Sequence, residues 1–184
     1  MSVVFLHGLE STVDEQLVPI GRKARYLRRR FDAALPALDT RVAQEVARRE
    51  VDRCGSWVWP YEGYEEAFAT PLARARDAIT DATRLVVASS FGGAVALRLL
   101  HEGGWDGPVL LLAAAGIKLT PHRTLPPVPA LVVHGRADTV VPLEDSVKLA
   151  STSDTAELVL VDDDHRLSTT VTDEGMGAWV ERLR

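Results

Sequence analysis

The sequence has one cysteine, Cys54, so it cannot form an internal disulfide. Nothing in it then requires an oxidising compartment, which favours the cytoplasm. No run of about 18 or more apolar residues occurs, so no membrane-spanning helix is expected. Methionine is confined to Met1 and Met176, which excludes the Met-rich surface that promiscuous binders use. Neither G-x-x-x-x-G-K-[ST] nor G-x-G-x-x-G stands at a strand end, so a nucleotide would find no phosphate cradle. There is no internal repeat, low-complexity tract or linker. Positive charge is in deficit: the net charge is −5 and the isoelectric point is near 5.5. That field repels nucleic acid and anionic membranes, and neither is expected as a partner.

What remains is an ordinary globular composition, 46% hydrophobic and 26% charged over 184 residues. One domain spanning 1–184 is expected. A domain of this size buries roughly 70% of the surface its unfolded chain exposes, so it needs no metal or disulfide to fold. Met1 to Leu6 lacks a basic n-region and a small-residue cleavage site, and reads as a first strand rather than a signal peptide.

Short apolar runs alternate with amphipathic stretches. Strands are predicted at Val3–Leu6, Ala34–Leu38, Leu85–Ala88, Val109–Ala113, Ala130–Val133 and Leu158–Val161. All but the second are continuously apolar, as strands buried on both faces of a parallel sheet are. Pro36 removes a ladder donor from the second and pushes it to an edge. Helical spacing runs over Gln16–Phe31 through Leu17, Ile20, Ala24, Leu27 and Phe31, with Pro19 delaying the regular start. Further helices are predicted at about Arg41–Arg53, Glu65–Thr83, Phe91–Leu100, from Pro142, and over Asp173–Leu183. Strand, helix, strand in this succession predicts a three-layer α/β/α sandwich.

The chemistry-bearing segment is Leu85-Val86-Val87-Ala88-Ser89-Ser90-Phe91-Gly92-Gly93. A strand runs through a small-residue turn straight into a helix. A serine there is held with its hydroxyl exposed, and its neighbours two away must be small; here they are Ala88 and Gly92. The Phe91 N–H, at the positive helix end, is placed to stabilise an oxyanion. Three other segments follow strands: Phe5-Leu6-His7-Gly8-Leu9, Val133-His134-Gly135-Arg136-Ala137-Asp138, and Val161-Asp162-Asp163-Asp164-His165.

The serine turn is G-x-S-x-G with Ala88 for the first glycine. Together the four segments resemble the α/β-hydrolase superfamily, and above all its small bacterial serine hydrolases with little beyond the core sheet. The resemblance covers essentially the whole chain. It implies Ser90 as nucleophile, Asp138 as triad acid and His165 as general base, in the chain order Ser, Asp, His. It implies the Leu9 N–H as second oxyanion donor, with His7 and Gly8 shaping its loop. It also implies about six parallel strands in the order 2-1-3-4-5-6, with the crevice above the first and third. The expected reaction is cleavage of a small carboxylic ester or thioester through an acyl-enzyme, with no cofactor and no metal. Little sequence remains for a lid, which points to an open site for short acyl chains.

Other readings stay open. Amide, lactone or perhydrolase chemistry uses the same triad, and a non-catalytic relative could keep the fold to bind a partner. Asp145 is a rival for the triad acid. Asp162, Asp163 and Asp164 have no recognised ligand spacing and read as a solvated acidic turn. Arg22, Lys23, Arg25, Arg28, Arg29 and Arg30 read as a solvated helix face. Trp57, Trp59, Tyr61 and Tyr64 fit a cap over the site or ordinary packing equally.

Overall fold

Strict two-residue alternation sorts the apolar strand residues onto two faces, and the helices divide accordingly. The computed structural model describes residues 2–9, 11–54 and 65–184. Five parallel strands form one sheet: β1 (Ser2–Leu6), β2 (Thr83–Ser89), β3 (Val109–Leu112), β4 (Ala130–Gly135) and β5 (Ala156–Val161), adjacent in that order. The register sets Leu6 beside Ala88, Ser89 beside Leu112 and Gly135 beside Val161. The loops that follow all five strands therefore gather at one edge.

Val3, Phe5, Leu85, Val87, Leu110 and Leu131 project to one face, where α1 (Arg22–Phe31) packs with α7 (Ala178–Leu183) and the π-helical turn Asp173–Gly177 before it. Val4, Leu6, Val86, Ala88, Leu111 and Val132 project to the other. That face is covered by α2 (Arg41–Cys54), α3 (Glu65–Ala78), α4 (Phe91–His101), α5 (Gly116–Leu119) and α6 (Leu143–Ala150). Each fully buried Leu, Val or Phe contributes about 1.5–3 kcal/mol. Phe68 of α3 stacks on Phe91 with ring centroids 5.0 Å apart, joining this core to the first residue of α4. No helix among the described residues is long and apolar enough to cross a membrane.

Among the described residues the sheet has five strands, where about six are predicted. Residues 34–38 contribute a single parallel bridge, Ala34 to Val4. Ala34 donates to Val3 O and accepts from Phe5 N, but Pro36 has no N–H to continue the ladder. This bridge lies on the edge of β1 away from β2. The chain therefore reverses its winding at β1, as the predicted order requires, and the crevice opens between the ends of β1 and β2. The first helix is also shorter than its apolar spacing suggested. Asp14 Oδ1 accepts from the amides of Gln16 and Val18, and Leu17 adopts φ 63°, so the helix starts only at Arg22. Ile20 is left outside the helix and 38% exposed.

Gly92 shows how tightly α4 sits on β1. A Cβ there would lie 2.1 Å from the Leu6 carbonyl oxygen, a backbone atom that cannot swing away. Gly92→Ala is expected to destabilise the fold by about 3 kcal/mol through overpacking, read as a lower urea midpoint.

Candidate active site

Ser90 stands between the last residue of β2 and the first of α4, with φ 52° and ψ −119°. A serine reaches this positive φ only under constraint. The constraint is visible: Ser90 N donates to Leu112 O at 3.0 Å, while Ser90 O accepts from Gly93 N at 2.8 Å and Ala115 N at 3.0 Å. Fixed on both sides, the turn lifts the hydroxyl above the sheet edge.

The structure brings Ser90, His165 and Asp138 into one hydrogen-bonded line. Ser90 Oγ lies 3.0 Å from His165 Nε2, and His165 Nδ1 lies 2.8 Å from Asp138 Oδ2. An ionised carboxylate only accepts, so Nδ1 carries the proton and Nε2 is free to accept from the serine O–H. The Asp138 side chain is fully buried. Burial alone would raise its pKa, but the His165 N–H and the amides of Val141 and Val140 outweigh it and hold the carboxyl below its ordinary value. Those amides donate to Oδ1 at 2.9 and 2.8 Å, leaving Oδ2 for the imidazole. Asp145, the rival acid, instead pairs with Lys118 at 3.6 Å.

Leu9 and Phe91 line the same cleft as Ser90. Phe91 N–H, in the first turn of α4, has no intrahelical acceptor. The Leu9 loop is pinned from two directions. His7 Nδ1–H donates to Gly8 O at 2.9 Å, and Gln44 Nε2 donates to Leu9 O at 2.6 Å, joined by Thr40 Oγ1 at 3.3 Å. His7 is buried, which lowers its pKa against the effect of the Gly8 bond, so the ring is neutral and serves as a brace. Gly8 lies close under the serine, where a Cβ would stand 3.1 Å from Ser90 Cβ.

Several positions shape the site without having been legible as such. Gln44 and Thr40, at the start of the second helical stretch, hold the Leu9 loop. His134 is fully buried; it donates from Nε2 to Val141 O at 3.1 Å and accepts from Ser146 at Nδ1 at 2.8 Å, so it braces the segment that carries Asp138. Burial lowers its pKa more than Asp138 raises it. The acidic turn is not wholly solvated. Asp163 is buried, and its carboxylate accepts from Thr169 N at 2.8 Å, Thr169 Oγ1 at 2.7 Å and Asp164 N at 2.8 Å. Through these bonds it ties down the loop that presents His165. Lys23 is turned into the cleft rather than out to solvent with Arg28, Arg29 and Arg30. Trp57, Trp59, Tyr61 and Tyr64 lie outside the described residues.

The cleft over Ser90 encloses about 830 Å³ and is walled by Leu9, Leu119, Val140, Val141 and Val171. That mixture of apolar walls around a few polar groups suits a small organic molecule.

No protein-family model matches the chain, and no curated protein matches it. Solved structures do. A protein assigned to the hydrolases of the α/β superfamily, from Xanthomonas campestris pv. campestris, aligns over 99% of this chain and 97% of its own, with TM-score 0.60 and 22% identity. The meta-cleavage product hydrolase of Pseudomonas fluorescens IP01 aligns over 100% of this chain and 90% of its own, with TM-score 0.65 and 16% identity. Mouse α/β hydrolase domain-containing protein 10 aligns over 100% and 90%, with TM-score 0.63 and 13% identity. These likenesses establish the fold: the chain adopts the architecture of the α/β-hydrolase superfamily, pared to five parallel strands.

Proposed function

We propose that the protein is a serine hydrolase that cleaves a small carboxylic ester or thioester through an acyl-enzyme. The observation that carries this reading is the line from Ser90 Oγ to His165 Nε2 and from Nδ1 to Asp138, set at a strained turn beside two amides. The likeness to hydrolases of the same fold supports it.

A serine hydroxyl is a weak nucleophile at neutral pH. His165 takes its proton as Oγ attacks the carbonyl carbon, and Asp138 stabilises the imidazolium that results. The carbonyl oxygen gains negative charge, which the N–H groups of Leu9 and Phe91 stabilise in this reading; the bonds from Gln44 and Thr40 to the Leu9 carbonyl support it by fixing the Leu9 loop. His165 then hands the proton to the leaving oxygen or sulfur, whose bond to the acyl carbon breaks. Water, deprotonated by His165, cleaves the resulting Ser90 ester and frees the acid. The protein's own groups complete this cycle, so the reading includes no cofactor. The reading extends to one folded domain acting on a small acyl substrate in the cytoplasm. The test is a panel of activated esters of increasing acyl length. Short chains are expected to turn over fastest, and Ser90→Ala is expected to abolish the whole series.

A further inference from the structure

The cleft holds a cation with no use in the triad chemistry. Lys23, the second residue of α1, is half-buried and lines the same cavity as Ser90 and His165. Its ammonium donates to the backbone oxygen of Arg166, the residue after His165, at 2.5 Å. An ammonium has three donors, so two remain after this bond.

No carboxylate among the described residues pairs with it. The carboxylates around it make other bonds, and Asp164 Oδ1 accepts from the Arg166 amide at 2.8 Å. Asp163 is occupied by Thr169 and the Asp164 amide, and Asp138 by His165 and the amides of Val140 and Val141. Lys118, the other lysine of the cleft, already has Asp145. Asp163, Asp164 and Asp138 act on this cation only from beyond pairing distance, so burial still outweighs them, and an anion arriving in contact with the ammonium offsets that cost.

We propose that Lys23 is a specificity residue that binds a carboxylate on the alcohol half of the substrate ester, an inference that rests on the hydrolase reading above. The alcohol half is favoured by the Arg166 bond. That bond places the ammonium beside the residue whose imidazole must protonate the leaving oxygen, so a leaving group seated at His165 passes next to Lys23.

Burial draws the Lys23 pKa down to about 8, against the pull of Asp163 and Asp164, with Arg166 lowering it further and Asp138 raising it. Arg22 of α1, Lys118 of α5 with its partner Asp145 of α6, and the triad's His165 are the other charged or titratable groups on the cleft wall. The ammonium is charged below this value and neutral above it. Preference for a carboxylated ester is therefore present at neutral pH and fades as the pH rises through about 8. Ionisation within the triad acts on any ester and cancels in a ratio of two.

The experiment compares para-acetoxybenzoate with its methyl ester, in wild type, Lys23→Gln and Lys23→Arg. The ratio of kcat/KM, charged over neutral, is expected to fall about tenfold or more in Lys23→Gln and to be largely kept in Lys23→Arg. A lysine that only tethers the Arg166 carbonyl would lower both esters together and leave the ratio unmoved, which overturns the proposal. Should Lys23→Gln fail to fold, Lys23→Met is compared in the same way, and an unmoved ratio overturns the proposal equally. Calorimetric binding of para-acetoxybenzoate to Ser90→Ala separates this inference from the hydrolase reading. Binding lost on adding Lys23→Gln, when wild type itself hydrolyses neither ester, supports the anion site and removes the hydrolase reading. Hydrolysis that needs Ser90 but ignores the charge and Lys23 does the reverse.

Discussion

Ser90→Ala is expected to lose about 10⁴-fold or more of kcat on a small activated ester. Removing Oγ deletes the attacking atom and leaves the Leu9 and Phe91 amides and the cleft walls in place. Residual turnover would come only from these and from water activated by His165. The substitution removes one oxygen from a partly exposed side chain, and the turn around it is held by backbone bonds to Leu112, Gly93 and Ala115, so folding is expected to survive. Ester turnover within about tenfold of wild type would show that the reaction does not pass through Ser90.

Asp138→Asn tests the tautomer. Asp138 Oδ1 is fixed by the Val140 and Val141 amides at 2.8 and 2.9 Å, so the asparagine oxygen takes that place and its NH₂ faces His165. An NH₂ donates, so Nδ1 must now accept and the proton moves to Nε2. A protonated Nε2 in the neutral ring cannot take the serine proton. The expected loss is about 10⁴-fold in kcat with the fold retained, measured beside circular dichroism. A loss of less than about tenfold would mean that the carboxylate does not set the imidazole's state.

The parts of this site that could be read from the sequence are those whose signal is local. Ser90 sits in a strand–turn–helix pattern of small residues, and Asp138 and His165 follow apolar runs by a few residues. Parallel strands bring their C-terminal ends to one edge, so chain order alone predicts that the three meet. The supports were illegible because they act between remote segments. Gln44 reaches the Leu9 carbonyl across 35 residues, and Lys23 reaches Arg166 across 143. Contacts of this kind leave no periodicity. Asp163 misled for a related reason: three consecutive aspartates look solvated, yet one of them turns inward to bind Thr169. In residues 34–38 the apolar run suggested a strand, but the missing N–H of Pro36 stopped pairing after one bridge.

The central claim is that an imidazole and a buried carboxylate make the Ser90 oxygen reactive, and mapping the site of fluorophosphonate attack tests it most directly. A single phosphonyl group on the peptide carrying Ser90, absent from Ser90→Ala and slowed severely in Asp138→Asn, is the predicted result. Folded wild-type protein that stays unlabelled, or that carries the group on another residue, would contradict the account.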